Sequence, residues 1–242
     1  MPAGMYRRTR SDDPLAPHPI VFTERGTHAS SEQVTDYVFC ADCEERFNKN
    51  GENYTLRLVT ARARFRLLEQ LDAVQPSFKK LEWRGYRKAD TPLVDREKLG
   101  YFALSIFWRA SVHTWPRKEG NPVRIDLGAQ NNEALRQYLM GQAGIPETVS
   151  LFLVVCSDKI SQESFYSPTL SHKANSCWTY GFSARGLLFN LNVSKRLSQN
   201  KIDICCLRSP DGWIWVRECE AKTLEAVTNL IAKQPPDVRR AG

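Results

Sequence analysis

Cys40-Ala41-Asp42-Cys43 is the densest concentration of reactive groups in the sequence. Two thiols two residues apart fit one tight turn, where both sulfurs can face a Zn²⁺ ion, act as a redox dithiol, or pack as reduced side chains. A redox dithiol ordinarily stands at a strand-to-helix junction, and the segment before Cys40, with Pro14, Pro17 and Pro19, supplies none. A zinc knuckle needs four ligands, so Cys40 and Cys43 make half of one. The remainder would come from His18 or His28, the histidines near them in sequence, from another chain, or from residues outside this sequence. His113 sits in an apolar helical pattern, where a hydrogen-bonded core imidazole is expected, and His172 in a polar stretch, where exposure is expected.

Cations gather around this pair. Arg7, Arg8 and Arg10 precede it, and Arg46, Lys49, Arg57, Arg62, Arg64 and Arg66 follow. Such groups contact phosphates and give affinity without sequence preference. A second basic run, Lys79, Lys80, Arg84, Arg87 and Lys88, is interleaved with Phe78, Trp83 and Tyr86, which either stack on bases or anchor a loop to the core. The whole chain of 242 residues carries a net charge of +7, a moderate excess that suits a polyanionic partner. No Walker loop, Gly-x-Gly-x-x-Gly, His-Glu-x-x-His or Gly-x-Ser-x-Gly occurs, which removes the sequence support for most familiar enzyme classes. Seven cysteines, an odd number, do not form a secreted disulfide framework. No apolar run is long enough to span a bilayer and the N-terminus lacks a signal-peptide core, so the expectation is a cytoplasmic protein with no membrane partner.

The elements that must position these groups change in period along the chain. Residues 1–39 are irregular and Pro-rich, with short strands at Ile20-Val21-Phe22 and Tyr37-Val38-Phe39. From Glu52 to Leu71, strong helix formers place Leu56, Val59, Ala63 and Leu67 on one stripe, predicting a helix flanked by arginines. The stretch to Pro92 reads as a long exposed connection or short strands. Residues 93–115 are apolar on most sides, which predicts a buried helix, and Asn131 to Met140 forms a shorter amphipathic one. Beyond Pro146 the period falls to two. Strands are expected at Thr148–Cys156, Trp178–Phe182, Leu187–Val193, Ile202–Leu207 and Trp213–Glu218, with turns at Ser183–Gly186 and Ser209–Gly212. The expected fold is α+β: a zinc-knuckle-derived segment over residues 1–51, a helical region over 52–145, an antiparallel sheet with a closing helix (Ala221 to Lys233) over 146–234, and a disordered tail over 235–242.

Two runs carry a family resemblance. Phe39-Cys40-Ala41-Asp42-Cys43-Glu44-Glu45-Arg46-Phe47 followed by Glu52, and Asp95 through Ser111, resemble a family of largely uncharacterised bacterial proteins related to HNH endonucleases. The similarity continues through Ile125-Asp126-Leu127-Gly128 and covers most of the chain. In that family a first Cys-x-x-Cys and a His-bearing segment precede the second Cys-x-x-Cys; here the match begins at Met1 to Arg7, within the tail of that segment. Glu44 stands where a His or Asn usually follows the last Cys. A carboxylate can bind Mg²⁺ but substitutes poorly for a His that activates water. The resemblance therefore implies a nucleic-acid-associated protein, DNA before RNA, catalytically reduced or inactive, with zinc on Cys40 and Cys43 and phosphates on Arg7, Arg8, Arg10, Arg46, Lys49, Arg57 and Arg62. Two further readings stand beside it. One is a non-catalytic protein-binding module, such as a phage or mobile-element inhibitor or a defence-system subunit, using Trp178, Trp213 and Trp215 on an exposed sheet face. The other is an active endonuclease with a divalent metal such as Mg²⁺, using His18 or His28 as base and Glu44 as ligand.

Overall fold

The computed structural model describes residues 18–23, 26–30, 36, 38–59, 64–117 and 121–218. The expected closing helix and tail, together with Arg7, Arg8, Arg10 and Arg62, lie outside these residues. The protein is α+β, with helices packed on a mixed sheet. Among the described residues the sheet has nine strands, in the order β2-β1-β6-β7-β8-β5-β9-β4-β3. They are β1 (Ile20–Thr23), β2 (Gly26–Ala29), β3 (Phe78–Lys80), β4 (Trp83–Tyr86), β5 (Val149–Cys156), β6 (Ser164–Ala174), β7 (Cys177–Ala184), β8 (Leu187–Val193) and β9 (Ile214–Arg217). The expected sheet was antiparallel and confined to the C-terminal part. In the structure β1 and β2 join one end through a parallel β1–β6 pair, and β3 and β4 join the other through β9, which runs parallel to β5.

The middle of the sheet follows from period-two patterning. In β5 the residues Val149, Leu151, Leu153 and Val155 enter the core, and in β8 the residues Leu187, Phe189, Leu191 and Val193 do so. The β7–β8 turn has Arg185 at φ 53° and Gly186 at φ 79°, the left-handed pair that a tight hairpin of the sheet's twist demands. Against this face lies α4 (Arg96–Val112). Asp95 caps it by accepting from the Lys98 N–H, and its interior residues from Leu99 to Ala110 are nearly all buried. Phe102 and Phe107 interlock edge-on with Phe182 and Phe189, whose own rings stack at 5.0 Å. The amphipathic helix α5 (Ala129–Leu139) flanks α4, tied by the Trp108 indole N–H donating to Asn132 O at 3.1 Å.

Three elements differ from expectation. The single helix over Glu52–Leu71 is broken: α2 (Asn53–Leu58) ends where Val59 leaves the helical region, and α3 (Arg66–Asp72) starts after Phe65. Val59 and Phe65 are both core residues, and burying both side chains overrides the local preference for a continuous helix. The expected strand Ile202–Leu207 is instead a short helix, α7 (Gln199–Asp203), followed by a lone bridge from Leu207 to Leu151. Its intended partner β9 is taken by β4 and β5, and Gly212 O in the intervening turn accepts from Arg96 at 2.5 Å, which holds that turn to α4. Val38 and Phe39 form no strand, and His172, placed in a loop by its polar neighbours, lies on β6 and is exposed. The remaining short helix, α6 (Lys159–Gln162), links β5 to β6.

Candidate dithiol site and its basic helical run

Cys40 is the N-cap of α1 (Ala41–Phe47), which continues without a break through a π-helical segment, Asn48–Glu52, into α2. Cys40 is exposed and Cys43 half-buried, one helical turn on. The Cys40 sulfur forms no cap hydrogen bond of proper geometry. The N–H and the thiol of Cys43 nonetheless lie beside it and hold its pKa below the ordinary thiol value. The same proximity to Cys40, with partial burial, pushes the Cys43 thiol up. Two sulfurs that face each other from an exposed helix start are a bidentate donor for a soft metal ion.

What holds this start in place is buried. Phe39 packs against Phe47 and Trp108, with ring centroids 5.6 Å apart in each pair. Arg109 of α4 reaches Glu52 with its Nη2 2.6 Å from Oε1, and its guanidinium also lies 4.9 Å above the Phe47 ring. Both partners are almost fully buried, with Glu52 4% exposed and Arg109 8%. The π-helical segment crosses α4 at Gly51, where a Cβ would lie 2.6 Å from the Phe102 backbone nitrogen. An extra residue per turn at this crossing lets the two backbones touch. Phe39, Phe47 and Glu52 from the first resembling run and Arg109 from the second thus form one cluster that fixes the run from residue 41 to 58 on α4.

The cations of the run are distributed unevenly. Arg46 extends to the Met140 carbonyl at 3.4 Å, Lys49 pairs with Glu45 at 2.6 Å on open surface, and Arg57 is exposed near the end of α2. Arg64 and Arg66 are exposed too, but the break after α2 removes the straight helix whose spacing would put Arg64 on the same side as Arg57. Among the described residues, no group of three or more His, Cys, Asp or Glu is placed to hold a metal ion. His18 lies just before β1 with its Nδ1 buried and without a hydrogen-bond partner among the described residues, and the side chain of His28 lies outside them. His113 closes α4 rather than sitting within it, and its Nε2 meets Asp36 at 2.8 Å. Glu44 is half-buried on α1.

Arg96 escaped the sequence reading. It is buried without a carboxylate partner among the described residues and donates instead to Gly212 O, Thr91 O, Val94 O, Arg87 O and Thr91 Oγ1, between 2.5 and 3.1 Å. An arginine in the first turn of a helix, where the dipole disfavours it, was the available signal. Among the described residues no helix is long and apolar enough to cross a membrane. Compared with protein-family models, curated proteins and solved structures, the chain finds no significant match in any of the three.

Proposed function

We propose that this chain is a DNA-associated protein of HNH endonuclease descent, catalytically reduced, in which Cys40 and Cys43 supply two ligands to a zinc knuckle and the helical run behind them contacts phosphates. One observation carries the reading: the exposed Cys40, the half-buried Cys43 and the cations Arg46, Lys49 and Arg57 sit on a run clamped from beneath by the buried Glu52–Arg109 pair. Rigid presentation of surface sulfurs and cations is what a metal knuckle on a phosphate backbone requires. Zinc would complete its shell with ligands beyond the two sulfurs and would set the direction of α1.

Metal content per chain and duplex DNA retention at low salt test this together. Zinc near one per chain is expected in the wild type and lost in Cys40→Ser/Cys43→Ser, with retention weakened by Arg46→Glu/Arg57→Glu and falling steeply as salt rises. Retention that ignores both salt and charge reversal would reject the phosphate surface, since apolar association is insensitive to ionic strength.

A further inference from the structure

The sheet face turned away from α4 carries a second set of groups. Trp215, Phe152 and Gly85 alternate with core residues along β9, β5 and β4, so they emerge on the opposite side. Phe152 and Trp213 both stack on Trp215, with centroids 6.0 and 5.2 Å away, and Phe78 and Trp83 meet it edge-on at 5.5 and 6.5 Å. Gly85 makes room beneath them, since a Cβ there would lie 2.9 Å from ring atoms of both Trp213 and Trp215. Phe78, at 40% exposure, is the open edge of the group. Trp178 does not join it: its neighbours in register, Tyr180 and Phe182, face the core.

Cations complete the rim. The Arg87 guanidinium lies 5.2 Å over Trp213 and that of Arg217 lies 5.7 Å over Trp83, while Lys80 pairs in register with Trp83 and shares its face. Arg84 points to the other side, where Asp72 at 2.7 Å and Glu218 at 3.0 Å neutralise it. Away from the aromatic end the face becomes polar: Asn190 stands opposite Phe152, and Asn190 Oδ1 and Ser171 Oγ lie over Gly181. Helix α7 covers part of this polar region, where Lys201 Nζ lies 3.1 Å from both Asn192 Oδ1 and Cys177 Sγ, and the uncovered part runs on from β4 toward β6 at roughly 4.8 Å per strand. An apolar protein surface laid across it would strand the amides and hydroxyls, whereas a nucleic-acid strand offers rings to stack, base edges to pair with amides, and phosphates for the rim.

We infer that the aromatic end of this face binds single-stranded nucleic acid, with bases stacked on the outer rings Phe78 and Trp83, which Trp215 supports from beneath, and phosphates held by Arg87, Arg217 and Lys80. The inference rests on the reading of the chain as nucleic-acid-associated but assigns a surface separate from the run at residues 41–58.

The test is tryptophan emission of the full chain titrated with oligothymidylate, beside retention of duplex DNA. Quenching is expected in the wild type, with affinity lowered about tenfold or more by Phe78→Ser, the loss of one stacked base. The surface variant Lys80→Glu/Arg217→Glu, which removes no core contact, should lower affinity and flatten its salt dependence. Arg46→Glu/Arg57→Glu should leave the single strand bound. Single-strand affinity unchanged in both sheet variants overturns the inference while the duplex result still decides the proposed function. A wild type that retains neither form overturns both. Emission insensitive to oligothymidylate but dependent on protein concentration, with a dimer in sedimentation, assigns the face to a second copy of the chain and overturns the inference as well.

Discussion

Removing Glu52 should cost more than any other single truncation in the helical run. Its Oε1 lies 2.6 Å from Arg109 Nη2, a separation at which the gross attraction is about 6 kcal/mol for an effective dielectric near 20. Desolvating two charges offsets most of that, so the pair itself adds little net stability. Its loss from one side is another matter. Glu52→Ala leaves a buried guanidinium whose remaining partners are Ser105 O at 3.3 Å, Ser105 Oγ at 3.2 Å and the Phe47 ring. Stranding a buried charge costs about 3–5 kcal/mol, against a total stability of about 5–15 kcal/mol for a typical domain. Urea unfolding should therefore show that loss of free energy as a lowered midpoint, the shift being the loss divided by an unchanged slope, and amide exchange over residues 41–58 should rise first. The double variant Glu52→Leu/Arg109→Met, which removes both charges and keeps volume, should recover most of the loss. A Glu52→Ala cost below about 1 kcal/mol, or a double variant as unstable as the sum of the singles, would refute the clamp.

Gly51→Ala forces a Cβ to within 2.6 Å of the Phe102 backbone, which cannot rotate away, so a loss of about 1–3 kcal/mol in urea unfolding is expected, with tighter helix propensity giving no rescue. Arg96→Lys keeps the charge but cannot fork to five acceptors; it should cost about 2–4 kcal/mol and alter the near-ultraviolet signal of Trp213, which follows the Gly212 carbonyl that Arg96 holds. Burial pushes the Cys206 thiol up to about 12. A proton held more tightly in the folded chain stabilises it fully below the unfolded thiol value of roughly 8.5, and that share is lost as pH rises toward 12, at about 1.4 kcal/mol per pH unit. Alkaline unfolding of Cys206→Ala should accordingly fall less steeply with pH than the wild type, and parallel profiles would contradict this.

Some of this architecture is legible in the chain and some is not. The helix at residues 96–112 announces itself by being apolar all round, β5 by a continuous apolar run, and β7 and β8 by their flanking of a good turn. The strand β6 escapes because Ser, Thr, His and Lys dominate it and Pro168 interrupts it; its pairing with β7, shifted in register at two places, is a property of the partner rather than of the segment. The parallel pairs β1–β6 and β5–β9 join segments far apart in sequence, and nothing local encodes such a choice. At the candidate site, the spacing of Cys40 and Cys43 correctly brings two sulfurs together, and a spacing rule can go no further. The Glu52–Arg109 pair is invisible for the opposite reason: each residue looks like an ordinary helix-surface charge until the two helices cross.

Strand β9 lies between β5 and β4, so the most C-terminal strand described is also the seam between the two ends of the sheet. During synthesis the β3–β4 hairpin leaves the ribosome more than a hundred residues before the strand that must tie it down. Helix α4 likewise waits for β7 and β8 before its rings find partners. An apolar helix and an aromatic hairpin are thus exposed together while residues 113 to 193 are made; the helix is covered first, by β7 and β8, and the hairpin only when β9 arrives. Pairing across so long a sequence separation slows closure of the sheet and leaves the unpaired hairpin edge open to association with other chains until β9 is made.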